Sequence, residues 1–160
     1  MPAHRPEECD LLLFDIIETG DLDAAVDLYE PDATFVIGPG QVVTGHAAIR
    51  EVLRGMMALN ATGKLEAVTR VESADGSIAF TRARGSSTRV GSDGNPVTTQ
   101  FHSIEVVRKQ ADGTWRIMID DPSAAGLVPT SPCGSPAIPA TRPPATGLSG
   151  RPPRSRRTPQ

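Results

Sequence analysis

Apolar residues recur along this chain first at helical spacing and then at strand spacing. Cys9, Leu12, Leu13, Ile16 and Ile17 share one face of a 3.6-residue repeat, which predicts an amphipathic helix over Glu7–Thr19. Gly20 supplies its stop, since glycine enters the left-handed region freely. Asp21 can cap a second helix, with Leu22, Ala25, Val26 and Tyr29 as its apolar stripe and Pro31 as its end. Asp32–Ile37 reads as a strand, Gly38-Pro39-Gly40 as a turn and Gln41–Thr44 as a second short strand. A third helix starts at Thr44 or Gly45. Ile49, Val52, Leu53, Met56 and Leu59 line one side of it, and Arg50, Glu51 and Arg54 the other.

Beyond the breaker Asn60-Ala61-Thr62-Gly63 the period falls to two. Leu65–Glu72, Ser77–Thr88, Pro96–Lys109 and Thr114–Asp121 read as four strands, joined by Asp/Gly/Asn-rich hairpin turns. Helices first and antiparallel strands after predict an α+β fold, with helices on one face of a curved sheet. Periodicity stops at Asp121. Residues 122–160 hold ten of the fifteen prolines and no acidic or aromatic residue, so a folded domain over 1–121 and a disordered Pro/Arg-rich tail are expected.

Charge follows the same division. The tail carries five arginines, and the body has 11 basic against 19 acidic residues, a net charge near −8. An acidic body argues against a nucleic-acid partner. Two cysteines, Cys9 and Cys133, make no disulfide framework. Met1–Asp10 lacks the apolar core of a signal peptide, and no apolar run approaches the ~20 residues of a membrane span. A cytoplasmic protein without a membrane partner is expected. Three scattered histidines and the lack of a cofactor fingerprint predict neither metal nor organic cofactor.

Three stretches carry a family resemblance: Gly20-Asp21-Leu22-Asp23-Ala24-Ala25 through Leu28-Tyr29-Glu30-Pro31-Asp32-Ala33-Thr34; Gly45-His46-Ala47-Ala48-Ile49-Arg50; and Asp112-Gly113-Thr114-Trp115-Arg116-Ile117 with Asp120. In this order and spacing they resemble the SnoaL-like, ketosteroid-isomerase-like proteins of the nuclear transport factor 2-like superfamily. The resemblance implies a cystatin-like α+β barrel, a cone in which a curved antiparallel sheet wraps three N-terminal helices around a small-molecule pocket. Such proteins are commonly dimers. They include isomerases, cyclases, dehydratases, hydrolases and non-catalytic binding modules, so the site must decide the function.

The ketosteroid-isomerase positions are not met. Ile37 stands where that family has its base, Leu13 (followed by Phe14) where it has its tyrosine, and His102 where it has its aspartic acid. Steroid-isomerase chemistry is therefore not expected. Strand alternation suggests another constellation. If His102 faces inward, so do Gln100, Ile104 and Val106, with Phe80, Arg82, Arg84 and Ser86 on the preceding strand and Met118 and Asp120 on the last. His102 would then act as acid/base, oriented by Asp120. Arg82, Arg84 and Gln100 would bind ligand beside apolar Phe35, Ile37, Met56 and Phe80. A hydrophobic or anionic small molecule suits that set. Blander readings stand beside it: Arg82 and Arg84 as a solvated strand face, His102 as a structural histidine, and Asp120 as an ion-pair partner. Three functions remain open: an enzyme on a hydrophobic metabolite, a non-catalytic ligand binder, and a dimerisation module. The complementary stripe Phe101, Val107, Trp115, Ile117 and Ile119 is expected outside, at a dimer contact.

Overall fold

The computed structural model of the protein describes residues 1–123. The elements are α1 (Pro6–Thr19), α2 (Leu22–Asp27), β1 (Tyr29–Gly38), β2 (Gln41–Thr44), α3 (His46–Met57), β3 (Thr62–Glu72), β4 (Ile78–Val90), β5 (Pro96–Lys109) and β6 (Trp115–Asp121). Gly20 ends α1 at φ 78°, and the Asp21 carboxylate accepts from the Ala24 N–H at 3.0 Å to start α2. The second helix is shorter than its apolar stripe suggests. It stops at Asp27, so Tyr29, Glu30 and Pro31 open β1 instead of closing a helix. Apart from Pro122 and Ser123, the expected tail lies outside the described residues. No helix among them is long and apolar enough to cross a membrane.

The fold is α+β. Six strands form one sheet in the order β2-β1-β6-β5-β4-β3, antiparallel throughout except where β1 runs parallel to β6. That parallel join brings the first strand to the last. It places Phe35 beside Asp120 and lets the Ile117 N–H donate to the Leu28 carbonyl at 2.8 Å. The helices cover one face. Cys9 and Leu13 of α1, Val26 of α2, and Ile49 and Leu53 of α3 are buried against Phe35, Val107, Trp115 and Ile117. Each large side chain buried this way stabilises the fold by about 1.5–3 kcal/mol.

The sheet's two faces are the reverse of the alternation expected from the sequence. On β4 the buried row is Ala79, Thr81, Ala83 and Gly85, while Arg82 and Arg84 are exposed. On β5 it is Ser103, Glu105 and Val107. Small residues of β4 face inward, and at Gly85 there is no room for a larger one. A Cβ on Gly85 would stand 2.2 Å from the Lys64 carbonyl oxygen and 2.7 Å from the Phe101 ring. The expected outer stripe is corrected as well: Val107, Trp115 and Ile117 belong to the core, and Phe101 turns inward. Ile119 alone of that stripe lies open, 41% exposed.

A bulge on β6 adds one further change. Val106 pairs with Ile119 and Val107 with Ile117, so Met118 has no partner. The extra residue resets the parity. Ile117 and Asp120, three residues apart, are both buried on the helix side.

Candidate functional site

A cavity of about 280 Å³ opens between α1, α3 and the inner face of the sheet. Its walls are apolar, from Leu13, Phe14 and Ile17 of α1, Leu53 and Met56 of α3, Phe35 of β1 and Phe101 of β5. Phe14 and Phe101 stack with ring centres 6.0 Å apart. The deep end is polar and buried: Asp10, Tyr29, Ser103, Glu105 and Asp120. The open end is bordered by Glu18, Leu59 and Ala61, and the Glu18 carboxylate holds the Gly63 N–H at 2.7 Å.

Two acid groups are built into the deep end. In the first, the Tyr29 hydroxyl donates to Asp120 Oδ2 at 2.5 Å. The Tyr29 main chain is itself held, with His46 Nε2 3.0 Å from its carbonyl oxygen. Asp120 is 3% exposed. Burial raises its carboxyl, the Tyr29 hydrogen bond lowers it, and the nearby Asp10 raises it again, leaving it pushed up to about 7. In the second, Asp10 and Glu105 share Thr81, whose hydroxyl is 3.3 Å from Asp10 Oδ1 and 3.1 Å from Glu105 Oε2. One hydroxyl proton cannot serve both. Burial first, and then Asp10, pushes Glu105 up to about 11, and burial also raises Asp10. At neutral pH the pair therefore holds a proton. A protonated acid donates a hydrogen bond, and a carboxyl near 7 can either give or take a proton.

Of the residues singled out from the sequence, Asp120, Phe35 and Met56 line this cavity. The others do not. His102 sits opposite Arg84 in the β4–β5 ladder, between Phe101 and Ser103, which both face the cavity; it points to the other side of the sheet. Arg82, Arg84, Gln100 and Phe80 share that outer face, where Arg82 lies over the Phe80 ring at 4.8 Å. Ile37, 49% exposed, lies at an irregularity near the end of β1. Asp120 thus neither orients His102 nor pairs with an arginine. The lining has no basic side chain among the described residues, so nothing there matches an anionic ligand. No group of His, Cys, Asp and Glu among those residues is placed to hold a metal ion.

The sequence does not by itself place Asp10, Tyr29, Ser103 or Glu105 in the site. One signal was present for Asp10, an acid inside the apolar stripe from Cys9 to Leu13. Tyr29 is a core position, as its place among apolar residues implies, but its hydroxyl needs a partner when buried, and the parallel β1–β6 join supplies it.

The comparisons with known proteins agree with this architecture. A protein of Novosphingobium aromaticivorans, described as NTF2-like with a cystatin-like fold, superposes with a TM-score of 0.60 at 20% identity, over 72% of this chain and 76% of that one. A candidate ketosteroid isomerase from Shewanella frigidimarina gives 0.62 at 15% identity, over 71% and 90%. A candidate aromatic ring hydroxylase from Novosphingobium aromaticivorans gives 0.60 at 26% identity, over 71% and 82%. No curated protein matches. The model of the SnoaL-like domain matches residues 12–118, which contain all of the cavity's deep end except Asp10 and Asp120. With the helix-lined curved sheet and its cavity, that match identifies the chain as a member of the SnoaL-like family.

Proposed function

We propose that this protein performs cofactor-independent proton-transfer chemistry on an apolar small metabolite, in the manner of an isomerase, cyclase, dehydratase or hydrolase. The observation that carries the proposal is Asp120. It is a buried carboxyl at the end of an apolar cavity, oriented by Tyr29 and pushed up to about 7. A general acid/base works best when its pKa lies near the operating pH, and Asp120 meets that condition without a histidine. The apolar walls would hold the substrate's carbon skeleton and keep water out. The names of the structural neighbours, isomerase and hydroxylase among them, are compatible with small-molecule chemistry in this fold.

Incubation of the protein with a panel of small cyclic ketones, β-hydroxy ketones and epoxides in deuterated buffer tests the reading, with deuterium incorporation or mass change as the readout. Turnover that disappears in Asp120→Asn and persists in His102→Ala is the expected result. Ligand binding without turnover across the panel would leave a non-catalytic pocket protein, the alternative that the same cavity supports.

A further inference from the structure

The cavity's electrostatics restrict the ligand beyond its being apolar, if the cavity is a ligand site at all. Among the described residues, the ionisable side chains on its lining are Asp10, Glu18, Tyr29, Glu105 and Asp120. All are acids. Asp10 is 5% exposed, and its Oδ2 has no donor. Thr81 is occupied with Asp10 Oδ1 and Glu105. A proton shared with Glu105, or a donor brought by a ligand, completes that oxygen.

The open end adds to this. The last turns of α1 and α3 contribute Ile17, Glu18 and Met56 to the lining, so both helices bring their C-terminal ends, the negative poles of their dipoles, toward the entrance. The last turn of α1 has no basic residue, and Arg54 in that of α3 is exposed and paired with Glu51.

We propose that the deep end of the cavity binds the nitrogen of an apolar amine, with Asp10 and Glu105 as its partners. The ligand enters as an ammonium ion. Its N–H groups donate to Asp10 Oδ2 and to a Glu105 oxygen, and the two acids keep the one proton they share. An ammonium–carboxylate pair remains, and charge balances inside the apolar walls. A carboxylate or phosphate ligand would bring its charge to a deep end lined by three acids. A ketone can accept the pair's proton as a hydrogen bond but brings no charge to offset the pair's own. An alcohol fits both atoms but gains nothing from the acidic entrance. A cavity of about 280 Å³ lies at the small end of ligand sites, which suits a one- or two-ring skeleton.

Three probes of one shape test this: naphthylmethylamine, naphthylmethanol and naphthoate, measured by isothermal titration calorimetry at pH 7 in two buffers of different ionisation enthalpy. The amine is expected to bind about tenfold or more tighter than the alcohol. It should bind with no net release or uptake of protons, and naphthoate should not bind. Asp10→Asn, which removes the pair's negative charge, should abolish the amine's advantage and keep alcohol binding. Should that variant fold poorly, the amine-to-alcohol affinity ratio of the unaltered protein decides alone. An alcohol that binds as well as the amine, or amine binding with release of a proton, overturns the amine assignment and leaves the cavity a ligand site. If none of the three binds, the reading of the cavity as a ligand site falls with it.

Discussion

The Tyr29 hydroxyl meets the Asp120 carboxyl at 2.5 Å, a buried contact between residues 91 positions apart in the chain. The first position of β1 and the sixth of β6 become neighbours because those two strands run side by side. The bond has two effects of opposite sign. It satisfies a buried acceptor, and it holds the Asp120 carboxyl below the level that burial alone would set.

Tyr29→Phe removes the donor and keeps the ring. The Asp120 carboxyl should rise further, so any activity that depends on its ionised form should move its midpoint to higher pH. The orphaned acceptor should also destabilise the fold by about 1–3 kcal/mol. A carboxyl titration followed by NMR, together with denaturant melts, checks both. An unchanged midpoint would show that the hydroxyl does not tune Asp120.

Stability should fall as pH rises from weakly acidic to alkaline conditions. Glu105 and Asp120 have folded-state values raised to about 11 and about 7, above the ordinary carboxylate range. Groups shifted upward bind more protons in the folded state than in the unfolded one. Their full contribution is present below the ordinary carboxylate range and is lost as pH climbs through the folded values. Asp75, lowered to about 2 by hydrogen bonds from Ser73 and Ser77, has the opposite sign and acts only in strong acid. The melting temperature should therefore be higher at pH 5 than at pH 9. Glu105→Gln should flatten the slope, and a melting temperature that rises over this range would refute the raised pair.

Two glycine replacements should differ in sign. Gly85→Ala drives a Cβ into the Lys64 carbonyl and the Phe101 ring, and should destabilise by about 1–3 kcal/mol. Gly55→Ala, on the exposed side of α3 with nothing within 4 Å, should stabilise by about 0.5–1 kcal/mol. Thermal melts of the two variants give the comparison. If both shift alike, the close packing assigned to the inner face is wrong.

The outer face of the sheet is expected to pair with a second copy of the chain. Phe80, Ile104 and Val106 are half-buried there, and Ile119, beside Val106, is open to solvent. Light scattering at micromolar concentration should show a dimer, and Ile119→Asp should give a monomer whose cavity still binds ligand. A monomeric unaltered protein would refute the pairing.

The order of the elements was legible in the chain because helix and strand periods are local properties. The apolar stripe from Cys9 to Ile17, the Gly20 stop, the Asp21 cap, and the bounds of β2 and β5 all follow from side chains within a few residues of one another. Alternation likewise showed that Arg82, Arg84 and His102 share a face, since pairing across one hairpin keeps them in step. It did not show which face. The packing decided it: Ala79, Ala83 and Gly85 are buried on the helix side, with Gly85 tight against Lys64 and Phe101, and the arginines stay exposed on the other. The unpartnered Met118 then reset the parity of β6 and returned Asp120 to the inside. The bond from Tyr29 to Asp120 depends on that bulge and on the parallel β1–β6 join. Both are long-range packing outcomes that no window of the sequence contains.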